Sequence, residues 1–253
     1  KMFDMINWPL VEVYSNSSEF LKAVPHERLG KKMKEVGDDG EQFVTKVLGL
    51  FWKPTSDTYV FRLNDDTLLR KCLDDNYVAT KREMLGLVMR IFDPIGPTLP
   101  YRIRGLIIMQ RVWKTGTDWK KKPPTEVADE FRRWLSEMEV LTRLELPRAY
   151  VDFPLKDCVL SLHLFVDAGT EAYAAAVYMR IEHSTGIYVR LVAAKGRVAP
   201  LKYVSIPRLE LCSGVLGARL LVSVKQWHRR LKFIDYFCWT DSITSYRWIT
   251  SPH

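Results

Sequence analysis

Three acidic residues stand where chemistry can be done. Asp167 closes the stretch Val159–Gly169, VLSLHLFVDAG, in which Leu160, Leu162, Leu164 and Val166 alternate with Ser161, His163 and Phe165. That period of two predicts a strand with one buried face. Glu210 lies in IPRLEL, in the first turn of a predicted helix that Ser205 can cap and Pro207 can open. Asp241 follows a second strand-like run, Phe233–Trp239, and precedes Ser242. Taken singly, each has an ordinary use, since an Asp before a small-residue turn commonly only starts the turn. Taken together they say more. If the two strands are parallel neighbours, Asp167 and Asp241 lie side by side and Glu210 projects toward them. Three converging carboxylates repel unless a cation neutralises them. Mg²⁺ prefers oxygen ligands of this kind. Two such ions about 3.5–4 Å apart can activate a water and stabilise the leaving oxygen of a phosphodiester.

The elements that must position these acids are legible as patterns. Val159–Asp167, Tyr173–Ile181 and Ile187–Ala194 read as an antiparallel meander. The helix after Ser205 should bury Leu209, Cys212, Val215, Leu216 and Leu220, with Gly214 and Gly217 allowing close approach to a sheet. Phe233–Trp239 is a fourth strand. A last helix from Ser242 or Ile243 carries Tyr246, Trp248 and Ile249. Tyr173, Trp239 and Trp248 read as core, and His163 and His228 as packing or surface residues.

Upstream, residues 80–146 read as a helical block. Thr80 and Glu83 form a capping box, followed by an apolar face of Met84, Leu87, Val88 and Ile91 that Pro94 and Gly96 stop. A second helix runs from about Tyr101 to Trp113. Thr125 should cap a third, with Phe131, Trp134, Leu135 and Met138 on one face, and Pro147 beyond it. Before the block, Val44–Trp52 and Thr58–Leu63 read as two strands joined by a hairpin turn over 53–57. Leu10–Tyr14 reads as extended, Ser17–Val24 as a short helix and Lys31–Gly40 as a loop. Asp65-Asp66 and Cys72-Leu73-Asp74-Asp75 read as solvated acidic turns.

A hydrophobic fraction of 47% against 27% charged residues excludes a disordered chain, and 253 residues allow one large domain or two modest ones. The net charge of +8 favours a polyanionic partner, nucleic acid before an anionic membrane surface. Lys195, Arg197, Lys202 and Arg208 flank the acids and are placed to touch phosphates. Lys120–Lys122 reads equally well as a solvated loop. Cys72, Cys158, Cys212 and Cys238 show neither zinc nor disulfide spacing, and are expected to be reduced, mostly buried thiols of an intracellular protein. No apolar run is long enough to span a bilayer. KMFDMINWPL has no signal-peptide pattern, and both ends read as cuts through a longer protein.

The motifs DAG (Asp167–Gly169), IPRLEL (Ile206–Leu211) and WTDS (Trp239–Ser242), in this order of elements, resemble a type-1 ribonuclease H domain. Two longer strings, AAKGRVAPLKYVSIPRLELCSGVLGARLL (Ala193–Leu221) and KREMLGLVMRIFDPIGP (Lys81–Pro97), resemble the polyproteins of Pao/BEL-type LTR retrotransposons. In that family a reverse transcriptase precedes the nuclease. The resemblance implies an α+β and α/β chain of three parts. Residues 1–79 would be the end of the reverse transcriptase palm. Within them KVLGLFWKPTSDTYVF (Lys46–Phe61) would be the primer-holding hairpin, and Lys46 would touch nucleic acid. Residues 80–150 would be a helical thumb and tether, and 151–253 a ribonuclease H-like βββαβα domain truncated at its C-terminus.

Asp167, Glu210 and Asp241 match the family's first three metal-binding carboxylates, which implies two Mg²⁺ ions, with Mn²⁺ as an alternative. The implied partners are an RNA–DNA hybrid or primer-template and the rest of the Pol polyprotein, with no membrane. The implied location is intracellular, in a cytoplasmic virus-like particle or the nucleus. The polymerase's catalytic aspartates would precede residue 1, and the fourth nuclease carboxylate would follow His253. Gly169, Ala174 and Gly196 stand where the family usually has Ser, Gly, and Ser or Thr. Three functional readings stay open: a metal-dependent nuclease of hybrids, a non-catalytic binder of primer-template, and a decayed fragment without a role.

Overall fold

A computed structural model describes residues 12–30, 44–47, 49–62 and 67–251. The expected loop Lys31–Gly40, Asp65-Asp66 and the start of the Leu10–Tyr14 stretch lie outside the described residues. The chain divides into two compact units. One comprises Lys1–Asn64 with Glu139–Tyr150, the other Asp65–Met138 with Val151–His253.

In the first unit, helix α1 (Ser18–Lys22) is capped by Ser17, whose hydroxyl accepts from the Phe20 N–H at 3.2 Å. Strands β1 (Thr45–Val47), β2 (Leu50–Lys53), β3 (Thr58–Val60) and β4 (Glu145–Pro147) form an antiparallel sheet in that order. The run Val44–Trp52, expected to be one strand, is two. Gly49, at φ +92°, takes the left-handed backbone that a tight turn needs, and Val47 pairs with Leu50. The expected turn over 53–57 is present. Asp57 sits there at φ +52°, and its carboxylate accepts from Trp52 Nε1 at 2.9 Å and from Arg148 Nε and Nη2 at 2.6 and 2.8 Å. The Arg148 guanidinium holds the Asp57 carboxyl below its usual range, against the opposing effect of burial. Pro147, expected only to stop a helix, ends β4 instead. Strand β4 has no apolar alternation to announce it.

The second unit begins with helices α2 (Thr67–Leu73), α3 (Lys81–Met89), α4 (Leu99–Lys114) and α5 (Thr125–Ser136). Cys72 and Leu73 belong to α2, which the sequence pattern did not reveal; Asp74 and Asp75 form the exposed turn after it. The capping box of α3 is formed as expected. Thr80 Oγ1 accepts from the Glu83 N–H, and the Glu83 carboxylate accepts from the Thr80 N–H at 2.8 Å. Thr125 is not a cap but the first helical residue; Pro124 holds the cap position and offers no side-chain hydrogen bond. Met84, Leu87 and Val88 of α3 pack in a core with Ile108 and Val112 of α4 and Trp134 and Leu135 of α5. Gly105 makes room for that indole, since a Cβ there would stand 2.5 Å from Trp134 Cζ2. The indoles of Trp113 and Trp119 receive buried Lys81, whose ammonium lies 4.3 and 5.2 Å from their ring centres and donates to Thr117 O at 2.9 Å.

The same unit then runs through β5 (Val159–Ala168), β6 (Ala172–His183), β7 (Gly186–Val198), α6 (Ile206–Trp227), β8 (Phe233–Trp239) and α7 (Ile243–Thr250). This is the expected β-β-β-α-β-α order, with longer strands β6 and β7. The sheet order is β7-β6-β5-β8; β8 is parallel to β5 and the other pairs are antiparallel. Leu160, Leu162 and Leu164 of β5 and Val177, Met179 and Ile181 of β6 are buried on the alternate positions of one face. Helix α6 covers that face with Leu209, Leu216, Leu220 and Val224. Cys212 and Val215, expected in this face, are exposed; Ser213 and Gly217 are buried in their place. At 3.6 residues per turn, 209, 213, 216, 220 and 224 align, while 212 and 215 turn away. The cysteines are also less buried than expected: only Cys72 is buried, and Cys212 and Cys238 are exposed.

The other face of the sheet is aromatic. Phe165 stacks on Trp239 at 6.1 Å between centroids and meets Tyr178 edge-on at 5.8 Å, while His163 stacks on Phe237 at 4.8 Å. Trp239 and Trp248, expected as core, are each 49% exposed, and Tyr173 is half-buried. The helical block is stitched to the β7 edge. The Ala194 N–H donates to Ile95 O at 2.7 Å, Gln110 Nε2 donates to Ala199 O, and Arg111 pairs with Glu171 at 2.8 Å.

Candidate metal centre

The three acids converge. Asp167 stands one residue before the end of β5, Asp241 lies two residues past β8, and Glu210 is the fifth residue of α6, at the start of its second turn rather than in its first. One carboxylate oxygen from each lies within 4.8 Å of the other two. Three local features bring this about. Parallel pairing of β5 and β8, with Phe165 opposite Trp239, carries both strands to the same end of the sheet. Ser242 caps α7 by accepting from the Ser245 N–H at 3.2 Å, which fixes the turn that presents Asp241. Gly217 lets α6 lie close on β5, because a Cβ there would stand 2.5 Å from Val166 Cγ1 and 2.9 Å from Leu164 Cδ1. Gly214, expected to serve the same purpose, does not: a Cβ there would meet only Ile249 Cδ1, at an ordinary 3.7 Å.

The electrostatics favour a cation. Glu210 is 8% exposed, whereas Asp167 and Asp241 are exposed. Burial first, then the charges of Asp167 and Asp241, push the Glu210 carboxyl above its usual range; the Ala168 N–H works in the opposite direction. Its Oε2 is buried and finds no hydrogen-bond partner among the described residues. A buried carboxylate oxygen left unpaired is costly. Asp167 Oδ1 accepts from the Ala168 N–H at 2.7 Å. An all-oxygen donor set with one orphaned, buried member fits a hard divalent cation. The three oxygens, all within 4.8 Å of one another, would hold such an ion between them.

Beside the acids lies a cavity of about 570 Å³, walled by Phe165, Tyr178, Trp239, Pro97 and Leu99 and open to Asp167 and Asp241. Of the expected phosphate-contacting residues, Lys195 and Arg197 lie on β7, opposite Ala175 and Tyr173 of β6. Lys202 lies in the connection to α6, and Arg208 is two residues before Glu210. All four are exposed. Lys46 belongs to the first compact unit, on β1, with its ammonium 5.6 Å from the centre of the Phe51 ring. His163 is a packing residue. It accepts from Trp239 Nε1 at 3.2 Å through Nδ1, which leaves Nε2 to donate to Ser161 Oγ at 3.1 Å. That polarity is the reverse of what a serine nucleophile and its base require.

Residues 80–242 match the family model of the Pao retrotransposon-like RNaseH-like domain. The chain belongs to this family. The Pao retrotransposon-like match opens at the Thr80 cap of α3 and closes one residue past Asp241, so it takes in the helical block and all three converging acids. The ribonuclease H-like fold of the family is the four-stranded sheet and α6 described above. Two solved structures of foamy viral protease-reverse transcriptase are similar to the chain. One is a dRH form in complex with double-stranded DNA, at 12% identity and covering 33% of that protein; the other is in complex with an RNA/DNA hybrid, at 14% identity and covering 25%. Each covers 83% of this chain with a TM-score of 0.44. The chain thus spans a third or less of those proteins' length. Among curated proteins, none matches the sequence significantly.

Proposed function

We propose that this chain is the nuclease end of a retroelement reverse transcriptase, and that it cleaves the RNA strand of RNA–DNA hybrids. The observation that carries the proposal is the meeting of Asp167, Glu210 and Asp241, with a Glu210 oxygen that is buried and unpaired among the described residues. In this reading residues 1–79 close the polymerase palm, 80–150 form the thumb and tether, and 151–253 form the nuclease. Lys46 serves the primer end.

Asp167, Glu210 and Asp241 would hold the divalent ions, Mg²⁺ or Mn²⁺. Bound there, such ions supply the charge that activates water and steadies a leaving phosphodiester oxygen. The protein's own part is positional. Parallel strands fix the two aspartates, and Glu210 is held rigidly on a packed helix. Arg208 and Lys202 near that helix's start, with Lys195 and Arg197 on β7, grip backbone phosphates without reading sequence. The net charge of +8 suits a nucleic-acid partner.

The test is a time course on an RNA–DNA hybrid labelled on the RNA strand, in Mg²⁺, in Mn²⁺ and in chelator. Cleavage that needs the cation supports the proposal. Salt-sensitive binding of the hybrid without cleavage in either metal would instead make the chain a binder of primer-template.

A further inference from the structure

A second cavity lies on the α6 side of the sheet, at the β7 edge. It measures about 390 Å³ and is walled by Arg102 of α4, Lys195 and Arg197 of β7 and Arg219 of α6. Four cations from three elements thus face one space against a single acid, Asp93. Asp93 is already engaged: its carboxylate accepts from the Gly96 N–H at 2.8 Å, the Thr98 N–H at 2.7 Å and Thr98 Oγ1 at 2.6 Å. Those bonds shape the loop that starts α4, leaving Asp93 little capacity to serve the arginines.

Arg102 is the telling residue. Its Nε is shielded from solvent and finds no acceptor among the described residues. A guanidinium N–H buried without an acceptor is disfavoured, and a small turn of the Arg102 guanidinium into the cavity would bring that N–H to an oxyanion held there. The walls are held in place by backbone contacts. The Ala194 N–H donates to Ile95 O at 2.7 Å, and Leu99 packs over Gly196, where a Cβ would come within 3.1 Å of Leu99 Cδ1. A larger residue at position 196 would press on Leu99 at the mouth of the cavity.

We infer that this cavity is a phosphate-binding site, distinct from the carboxylate centre and built jointly by the helical block and the nuclease sheet. Guanidinium groups suit it, because they bind phosphate oxygens through paired, directed hydrogen bonds. Its position points to a phosphodiester of a bound strand. Gly196 pairs with Ala174, which pairs with Asp167. Two strand spacings, about 10 Å, therefore separate the backbone at the cavity from that at the carboxylates. This part of the inference rests on the proposed nucleic-acid function; the anion site itself does not.

The experiment is nitrogen–proton correlation NMR of the arginine Nε–H groups in the full chain. It is combined with anisotropy binding of a labelled RNA–DNA hybrid across a salt series. The Arg102 Nε–H signal, assigned with Arg102→Lys, should move when hybrid is added, and inorganic phosphate should compete only weakly. Arg102→Gln with Arg219→Gln should lower the magnitude of the log–log salt slope by about 1, for the one phosphate that is no longer neutralised. Arg219→Gln alone, at an exposed position, should lower it by a part of that amount, which keeps the test valid if the double variant folds poorly. A signal that moves with inorganic phosphate while hybrid is not bound upholds the anion site and overturns the nucleic-acid reading. Hybrid bound with an unmoved Arg102 signal and an unchanged slope in Arg219→Gln overturns the site and leaves that reading standing.

Discussion

Gly217 and Val166 touch where the helix crosses the strand, and the contact sets the height of Glu210 above Asp167. A Cβ at position 217 would stand 2.5 Å from Val166 Cγ1. Val166 immediately precedes Asp167, and Glu210 lies two turns up the same helix. Gly217→Val gains only a few tenths of a kcal/mol in helix propensity and should cost about 1–3 kcal/mol through overpacking. Urea unfolding reads the loss. Mn²⁺ affinity, measured by calorimetry, should fall with it, because lifting the helix lifts Glu210. Lost stability with unchanged Mn²⁺ affinity would separate the helix height from the metal centre.

Glu210 makes the metal-free protein sensitive to pH in an unusual direction. Burial and the neighbouring aspartates raise its carboxyl above the ordinary value. The folded state therefore binds that proton more tightly than the unfolded state. The stabilisation is complete below the unfolded carboxylate value and is lost as pH rises through the raised folded value. Without cation, Glu210→Gln should melt above the wild type at neutral pH and level with it in acid. Saturating Mg²⁺ should reverse the order at neutral pH, since a ligand stabilises only the form that binds it.

Glu83 works with the opposite sign. Burial opposes its ionisation, but the Thr80 N–H, the Tyr77 and Thr80 hydroxyls and the Lys71 ammonium outweigh that effect and bring its carboxyl to about 2. Its stabilisation is present above the unfolded value and disappears as pH falls toward about 2. At neutral pH it is worth at most roughly 3 kcal/mol. Glu83→Gln should remove most of the acid sensitivity of the helical block, read by circular dichroism between pH about 5 and 2. An unchanged acid transition would assign the loss to other carboxylates.

Asp167→Asn should keep the fold, since the side chain is exposed and, among the described residues, makes only a local bond to Ala168. Cleavage of hybrid should fall by at least about a hundredfold, the scale on which loss of one charge-stabilising group acts. Cleavage at the wild-type rate, with the melting temperature unchanged, would remove Asp167 from the chemistry.

The convergence of the three acids was legible in the sequence because two strand periods and one helix opening each end in an acid. The parallel pairing of the two strands, on which that meeting depends, was only a condition there and is supplied by the structure. The capping box at Thr80 was equally legible, being a local hydrogen-bond pattern. What escaped was decided by tertiary neighbours. The burial of Ser213 over Cys212 depends on how far α6 rotates on the sheet. The split of Val44–Trp52 turns on Gly49 alone, and glycine fits a strand or a turn. Trp239 and Trp248 have core composition but lie half-exposed, on surfaces that no described residue covers fully. Arg102 and Arg219 stand 117 positions apart in ordinary helical sequence, so no spacing rule could have joined them in one cavity.

The stitching of the helical block to β7 also bears on how the protein can be dissected. Ile95, Gln110 and Arg111 occupy the outer side of that strand at Ala194, Ala199 and the neighbouring Glu171. A piece of the chain started at residue 151 would shed that cover and bare a long edge strand, the kind of surface on which sheets of separate molecules join. A cut placed ahead of α2, near residue 65, keeps the edge sheltered and the second compact unit whole.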